Sequence, residues 1–204
     1  GFKKIEYIFR DSNFGLAKSF IEGISETFIN HEKAIFLEDD NLISEHFLRF
    51  MNQALIEYKD NQKVICITGY SYPIWPPMKK PYFLRGADTW SMATWRRGWS
   101  LIHLDSSELL YELNRNKLSR KLSWLGFGFN KMLQDQVAGR IDSWGIRWWV
   151  SAFVKDLYCL YPNQPLCVSI GWGEESVHCA DYTPLFRSPE DLSKEPITLL
   201  PKIV

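Results

Sequence analysis

Three consecutive carboxylates, Glu38, Asp39 and Asp40, directly follow the apolar run Ala34-Ile35-Phe36-Leu37. Hard oxygen ligands of this kind suit Mg²⁺ or Mn²⁺, ions that carry diphosphates, and no neighbouring His or Cys suggests zinc. The apolar run is too short for an amphipathic helix and suits a strand covered on both faces. Downstream, Ser44 is a good N-cap, and Phe47, Leu48, Met51, Ala54, Leu55 and Tyr58 recur at helical spacing. The acids are therefore expected on a strand-to-helix turn, at the carboxyl end of a strand, where open α/β sheets bind ligands. The plain alternative is an acidic loop favoured by the dipole of the following helix.

The elements that position these acids alternate. Lys4 to Phe9 reads as a strand, and Leu16, Phe20, Ile21, Ile24 and Phe28 mark one face of a helix. The Ala34 to Leu37 strand, the Ser44 helix and a strand from Val64 to Thr68 follow. This alternation predicts an α/β fold with a mostly parallel sheet and right-handed crossovers. Between Tyr72 and Pro81 there are four prolines in ten residues, which excludes a helix or central strand and predicts a surface loop over the binding edge. A Trp- and Arg-rich segment, 88–99, comes next. Helices are expected over Glu108 to Leu125, over Phe129 to Ala138 and from Asp142 or Ser143 onward. Tyr158 to Ile170 returns to strand and turn, and the last twenty residues, with three prolines, read as an extended tail.

Bulk properties narrow the class. A chain of 204 residues suits one domain, divided here into a donor and metal part (1–70), an acceptor and catalytic part (71–182) and a tail (183–204). Lys plus Arg equals Asp plus Glu at 24 each, without the basic excess of a nucleic-acid binder. Cys66, Cys159, Cys167 and Cys179 lack CxxC spacing and read as reduced, packed thiols, which favours a reducing compartment. No apolar stretch approaches the ~20 residues of a membrane span, and no signal-peptide pattern opens the chain. The cytoplasm is the expected location, with peripheral membrane attachment as a second option.

Four motifs in order carry a resemblance. Arg10-x-x-Asn13-x-Gly15-Leu16, followed by Phe36-Leu37-Glu38-Asp39-Asp40 with Ser44-x-x-Phe47, resembles the second half of the nucleotide-sugar-binding region of GT-A glycosyltransferases. Trp90-Ser-Met-Ala-Thr-Trp-Arg-Arg-Gly-Trp99, Asp142-Ser-Trp-Gly-Ile-Arg147-Trp and Gly171-Trp-Gly-Glu-Glu-Ser-Val-His178-Cys179 resemble a bacterial group of family 2 sugar transferases. Their order is also similar to the N-acetylglucosaminyltransferase I type, and the match covers residues 4 to 182. Such enzymes start with a base-cradling strand and loop, whereas this chain enters after that point. The resemblance therefore implies a fold lacking its first strands, little activity of these residues alone, or a homo-oligomer through the uncovered edge.

The resemblance implies a metal-dependent, inverting enzyme that moves a sugar from a nucleotide-diphosphate sugar to a glycan or lipid-linked acceptor. Asp40 would ligate Mn²⁺ or Mg²⁺, and Glu38 and Asp39 would orient the donor, with Arg10, Asn13 and Gly15 beside it. Asn13 and Gly15 serve equally as a plain helix entry. Asp142 would take the acceptor's proton, with an N-cap role as its alternative and Glu174 and Glu175 as rival bases. His178 is a second metal or phosphate ligand, or a structural histidine. Trp90, Trp95 and Trp144 would wall the sugar pocket, while Trp99, Trp148 and Trp149 read as core. Arg96, Arg97 and Arg147 are candidate phosphate or acceptor contacts, at least one of them a surface charge. The alternative function is a noncatalytic carbohydrate- or nucleotide-binding domain derived from such an enzyme.

Overall fold

The computed structural model describes residues 3–123, 128–171, 189–198 and 201. Helix α1 (Leu16–Asn30) buries Ala17, Ile24 and Phe28, with Phe20 and Ile21 packed alongside, so its predicted face is the one that meets the core. Strand β1 (Lys33–Phe36) follows, then the acids, a short strand β2 (Asn41–Ile43) and helix α2 (Phe47–Glu57). Helix α2 starts later than expected, with His46 at its N-cap. Ser44 instead accepts from His46 N at 3.1 Å and donates to Ser193 O at 2.8 Å, and β2 separates the acids from the helix. Leu48, assigned to the buried face by its spacing, is 49% exposed, and Phe50 is buried.

Strands β3 (Val64–Thr68), β4 (Tyr82–Arg85) and β5 (Met92–Trp95) come next. Five helices then succeed one another: α3 (Arg96–Trp99), α4 (Ser106–Arg115), α5 (Ser119–Ser123), α6 (Phe129–Val137) and α7 (Trp144–Val154). The stretch expected as one helix from Glu108 divides into α4 and α5, with Lys117 at φ 55° between them. Strands β6 (Tyr158–Tyr161) and β7 (Cys167–Ser169) close the fold.

The main sheet has the order β1-β5-β3-β6-β4, and β2 pairs with β7 in a second, two-stranded sheet. The expected mostly parallel sheet is instead a mixed one: among the described residues β3 and β6 form its one parallel pair. β1 and β3 do run in one direction, but β5 inserts antiparallel between them. All four β5 residues are buried, so the segment shows no alternation by which to recognise a strand. The Lys4 to Phe9 segment, also expected as a strand, joins no ladder among the described residues and leaves Ile5, Tyr7, Ile8 and Phe9 exposed. β1 proves to be an edge strand, half-buried rather than covered on both faces. Residues 72–81 form neither helix nor strand.

Helices cover both faces of the sheet, an α/β layering. On one face Phe28, Trp99 and Trp148 pack with Cys66 and Tyr161; on the other, Phe47, Phe50 and Met51 of α2 pack with Ile67 and Leu160. Full burial of one such aromatic or aliphatic side chain contributes about 1.5–3 kcal/mol. Cys66, Cys159 and Cys167 are free and buried, while Cys179 lies outside the described residues. Among the described residues no helix is long and apolar enough to cross a membrane.

Candidate functional site

The acids lie just past the carboxyl end of β1, in the turn before β2, and β2 holds them through its partner strand. Asp40 Oδ1 accepts from Asn41 Nδ2 at 2.8 Å and Oδ2 from Ser169 Oγ at 3.0 Å, while Ile170 N donates to the Asp40 carbonyl at 2.9 Å. Ser91 ties this turn to the main sheet: its Oγ stands 2.7 Å from both Asn41 Oδ1 and Cys167 Sγ. The Asp40 carboxylate is thus fixed by residues of two strands, Asn41 of β2 and Ser169 of β7, before any ligand arrives.

Negative charge accumulates there. Burial, then the charges of Asp40, Asp39 and Asp88, raises the Glu38 carboxyl to about 7. Burial pushes the Cys167 thiol up to about 12, against a lowering by the Ser91 hydrogen bond, and Asp88, Asp40 and Glu38 add to the rise. None of Glu38, Asp39, Asp40 and Asp88 makes an ion pair with a Lys, Arg or His among the described residues. Carboxyl groups gathered without a cationic partner favour a cation.

A cavity of about 350 Å³ opens at the same edge, past the end of β3 and ahead of β5. Tyr70, Tyr72, Trp90, Phe129 and Trp149 wall it, and Trp90 meets Tyr70 edge to face with centroids 4.7 Å apart. Asp88, Thr89 and Ser143 supply its polar groups. Asp88 went unnoticed in the sequence, yet it is 7% exposed and firmly held. Its Oδ1 accepts from Trp90 N at 2.9 Å and its Oδ2 from Tyr161 OH at 3.0 Å. Burial raises the Asp88 carboxyl above the usual carboxylate value, against the lowering by these hydrogen bonds.

The expected site residues divide. Trp90 lines the cavity; Trp149 is buried in the core, as the sequence assigned it, and also lines the cavity. Trp144 is buried in the core, stacked on Phe20 at 5.0 Å, and does not line it. Trp95 and Arg96 sit at the opposite end of β5: Trp95 Nε1 donates to Leu55 O at 3.2 Å and Arg96 pairs with Glu32 at 2.9 Å. Arg97 is tied there too, to the Tyr58 and Lys59 carbonyls at 2.9 and 3.0 Å. Asp142 is not the cap of α7, because Ser143 Oγ accepts from Ile146 N in that role. Its exposed carboxylate pairs with Arg147 at 2.7 Å, one residue ahead of the cavity wall. Arg10 is engaged by Glu26 at 3.0 Å, and Asn13 Oδ1 accepts from Gly15 N at 2.8 Å, forming the turn into α1. Glu174, Glu175 and His178 lie outside the described residues.

The carboxylate oxygens fit a hard cation such as Mg²⁺ or Mn²⁺, since they make no ion pair with a Lys, Arg or His among the described residues and that of Asp40 is already oriented. Among the described residues no group of three or more His, Cys, Asp or Glu could by itself hold a metal ion. Both ions accept water and phosphate oxygens beside protein carboxylates. No protein-family model matches this chain, and no curated protein matches it significantly.

Proposed function

We propose that the chain is a metal-dependent glycosyltransferase that moves a sugar from a nucleoside-diphosphate sugar to a hydroxyl of a glycan or lipid-linked acceptor, with inversion. The observation that carries this reading is the turn of unpaired carboxylates at the carboxyl end of β1, set at the same sheet edge as an aromatic cavity. Asp40, fixed by Asn41 and Ser169, would be the protein ligand of Mg²⁺ or Mn²⁺. When bound, such an ion neutralises charge on the diphosphate leaving group. Glu38 and Asp39 lie on the same turn and would orient the donor's hydroxyls.

The attacking hydroxyl loses its proton as its oxygen bonds to the anomeric carbon, and the bond to the diphosphate breaks with its electron pair. Asp142, adjoining the cavity wall at Ser143, is the carboxylate to which we assign that proton. Attack from the face opposite the leaving group gives inversion.

A noncatalytic saccharide-binding domain is favoured by one observation, that five aromatic side chains line the cavity. Nucleotide release from a panel of nucleotide sugars, with Mn²⁺ and with EDTA, separates the two. Release that requires Mn²⁺ supports the enzyme. Glycan binding that needs no metal, without nucleotide release, supports the binding domain.

A further inference from the structure

We infer that the cavity between β3, β5 and α7 is a subsite for a single pyranose ring, in which Asp88 accepts a hydrogen bond from a ring hydroxyl and Trp90 offers an apolar face to the ring. Assigning this ring to the acceptor rests on the transfer reading above; its binding does not.

The chemistry of the walls selects the ligand. The volume of about 350 Å³ stands at the small end of the roughly 300–1,000 Å³ range of small-molecule pockets, which suits one ring rather than an extended chain. Aromatic faces offer stacking surface to the C–H face of a sugar, at little cost in side-chain entropy. An apolar ring would satisfy those walls but leave Asp88 unused, a carboxyl more than nine-tenths buried. Such a group is costly to bury, and its bonds to Trp90 and Tyr161 offset that cost in the free protein. Oδ1 accepts from Trp90 N and, at 3.5 Å, from Thr68 Oγ1, while Oδ2 accepts from Tyr161 OH, which aims the carboxyl and leaves acceptor capacity on Oδ2. Thr89 and Ser143 line the same cavity, so several hydroxyl groups surround the space. A ligand bearing both hydroxyls and an apolar face matches that combination.

An organic cation is the competing occupant, because aromatic rings beside a carboxylate also form a cage for ammonium groups. The ring of hydroxyl-bearing residues is superfluous for such a cation, which neither donates to nor accepts from them in its quaternary form.

The test is titration of the metal-free chain, in EDTA, with methyl glycosides of glucose, galactose, mannose and N-acetylglucosamine, and with tetramethylammonium. Tryptophan indole N–H signals report binding by NMR. At least one glycoside should bind and shift these signals, and Asp88→Asn should weaken it about tenfold or more, the loss expected for a hydrogen bond to a charged group. Met132 lies at the cavity rim on α6 and is 36% exposed, so Met132→Trp should fill the space without disturbing the core and abolish binding. Should Asp88→Asn fail to fold, Met132→Trp alone decides. No glycoside binding, glycoside binding that survives Met132→Trp, or binding of tetramethylammonium alone overturns the inference. Glycoside binding without any nucleotide release from donor sugars would refute transfer while leaving this subsite standing.

Discussion

Gly171 and Asp40 are in contact so close that a Cβ on Gly171 would stand 2.3 Å from Asp40 Oδ2. That oxygen is the one Ser169 holds at 3.0 Å. A side chain at position 171 must displace the carboxylate or the backbone, whereas glycine lets both approach. The residue that would ligate the metal is thus positioned from β7, far along the chain.

Gly171→Ala should therefore lower Mn²⁺-dependent nucleotide affinity by about 10- to 100-fold, the usual loss when a ligand's supporting partner is changed. The substitution lies at the edge of the small sheet, so the circular dichroism spectrum and melting temperature should stay close to wild type. Affinity equal to wild type would mean that the position of Asp40 does not matter for nucleotide binding.

Asp142→Asn separates chemistry from packing. As an exposed ion pair with Arg147, Asp142 contributes on the order of 0–1 kcal/mol of stability. As the proton acceptor it contributes about 10²- to 10⁴-fold in kcat. Turnover and melting temperature measured on the one variant should show the second loss without a large first. Unchanged turnover would remove Asp142 from the role.

Asp88 gives a pH signature. Its carboxyl binds a proton more tightly in the folded chain than the ordinary value of 3.8, so its contribution to stability is full below that value and is lost as pH rises through the folded one. Asp88→Asn removes this dependence. The variant should be less stable than wild type by about 1–3 kcal/mol at pH 4, because it disturbs the bonds to Trp90 and Tyr161, and the gap should narrow toward pH 8. Urea unfolding at both pH values checks this, and a gap that widens with pH contradicts it.

The acids were legible because three carboxylates after an apolar run form a local pattern, and α1 and α2 were legible from their helical spacing. Strand β5 was not, because burial on both faces erases the alternation that marks a strand. That one missing strand accounts for the misplacement of Trp95 and Arg96. Trp90 and Trp95 are close in sequence, but β5 rises about 3.3 Å per residue between them and carries Trp95 and Arg96 to the far end of the sheet.

Asp88 was invisible for the opposite reason. A lone Asp between Ala87 and Thr89 has no spacing to read, and what singles it out is Tyr161, which reaches it from β6. Lys4 to Phe9 has a strand's composition but no ladder partner among the described residues, so a correct local pattern produced no strand.

The central claim is that Asp40 binds a divalent cation together with a nucleoside diphosphate. Calorimetry of UDP and GDP binding, with Mn²⁺ and with EDTA, on wild type and on Asp40→Asn, tests it most directly. Tight binding is expected only for wild type with Mn²⁺, weakened about tenfold or more by removing either the metal or the carboxylate. Equal affinity in all four conditions would contradict the claim.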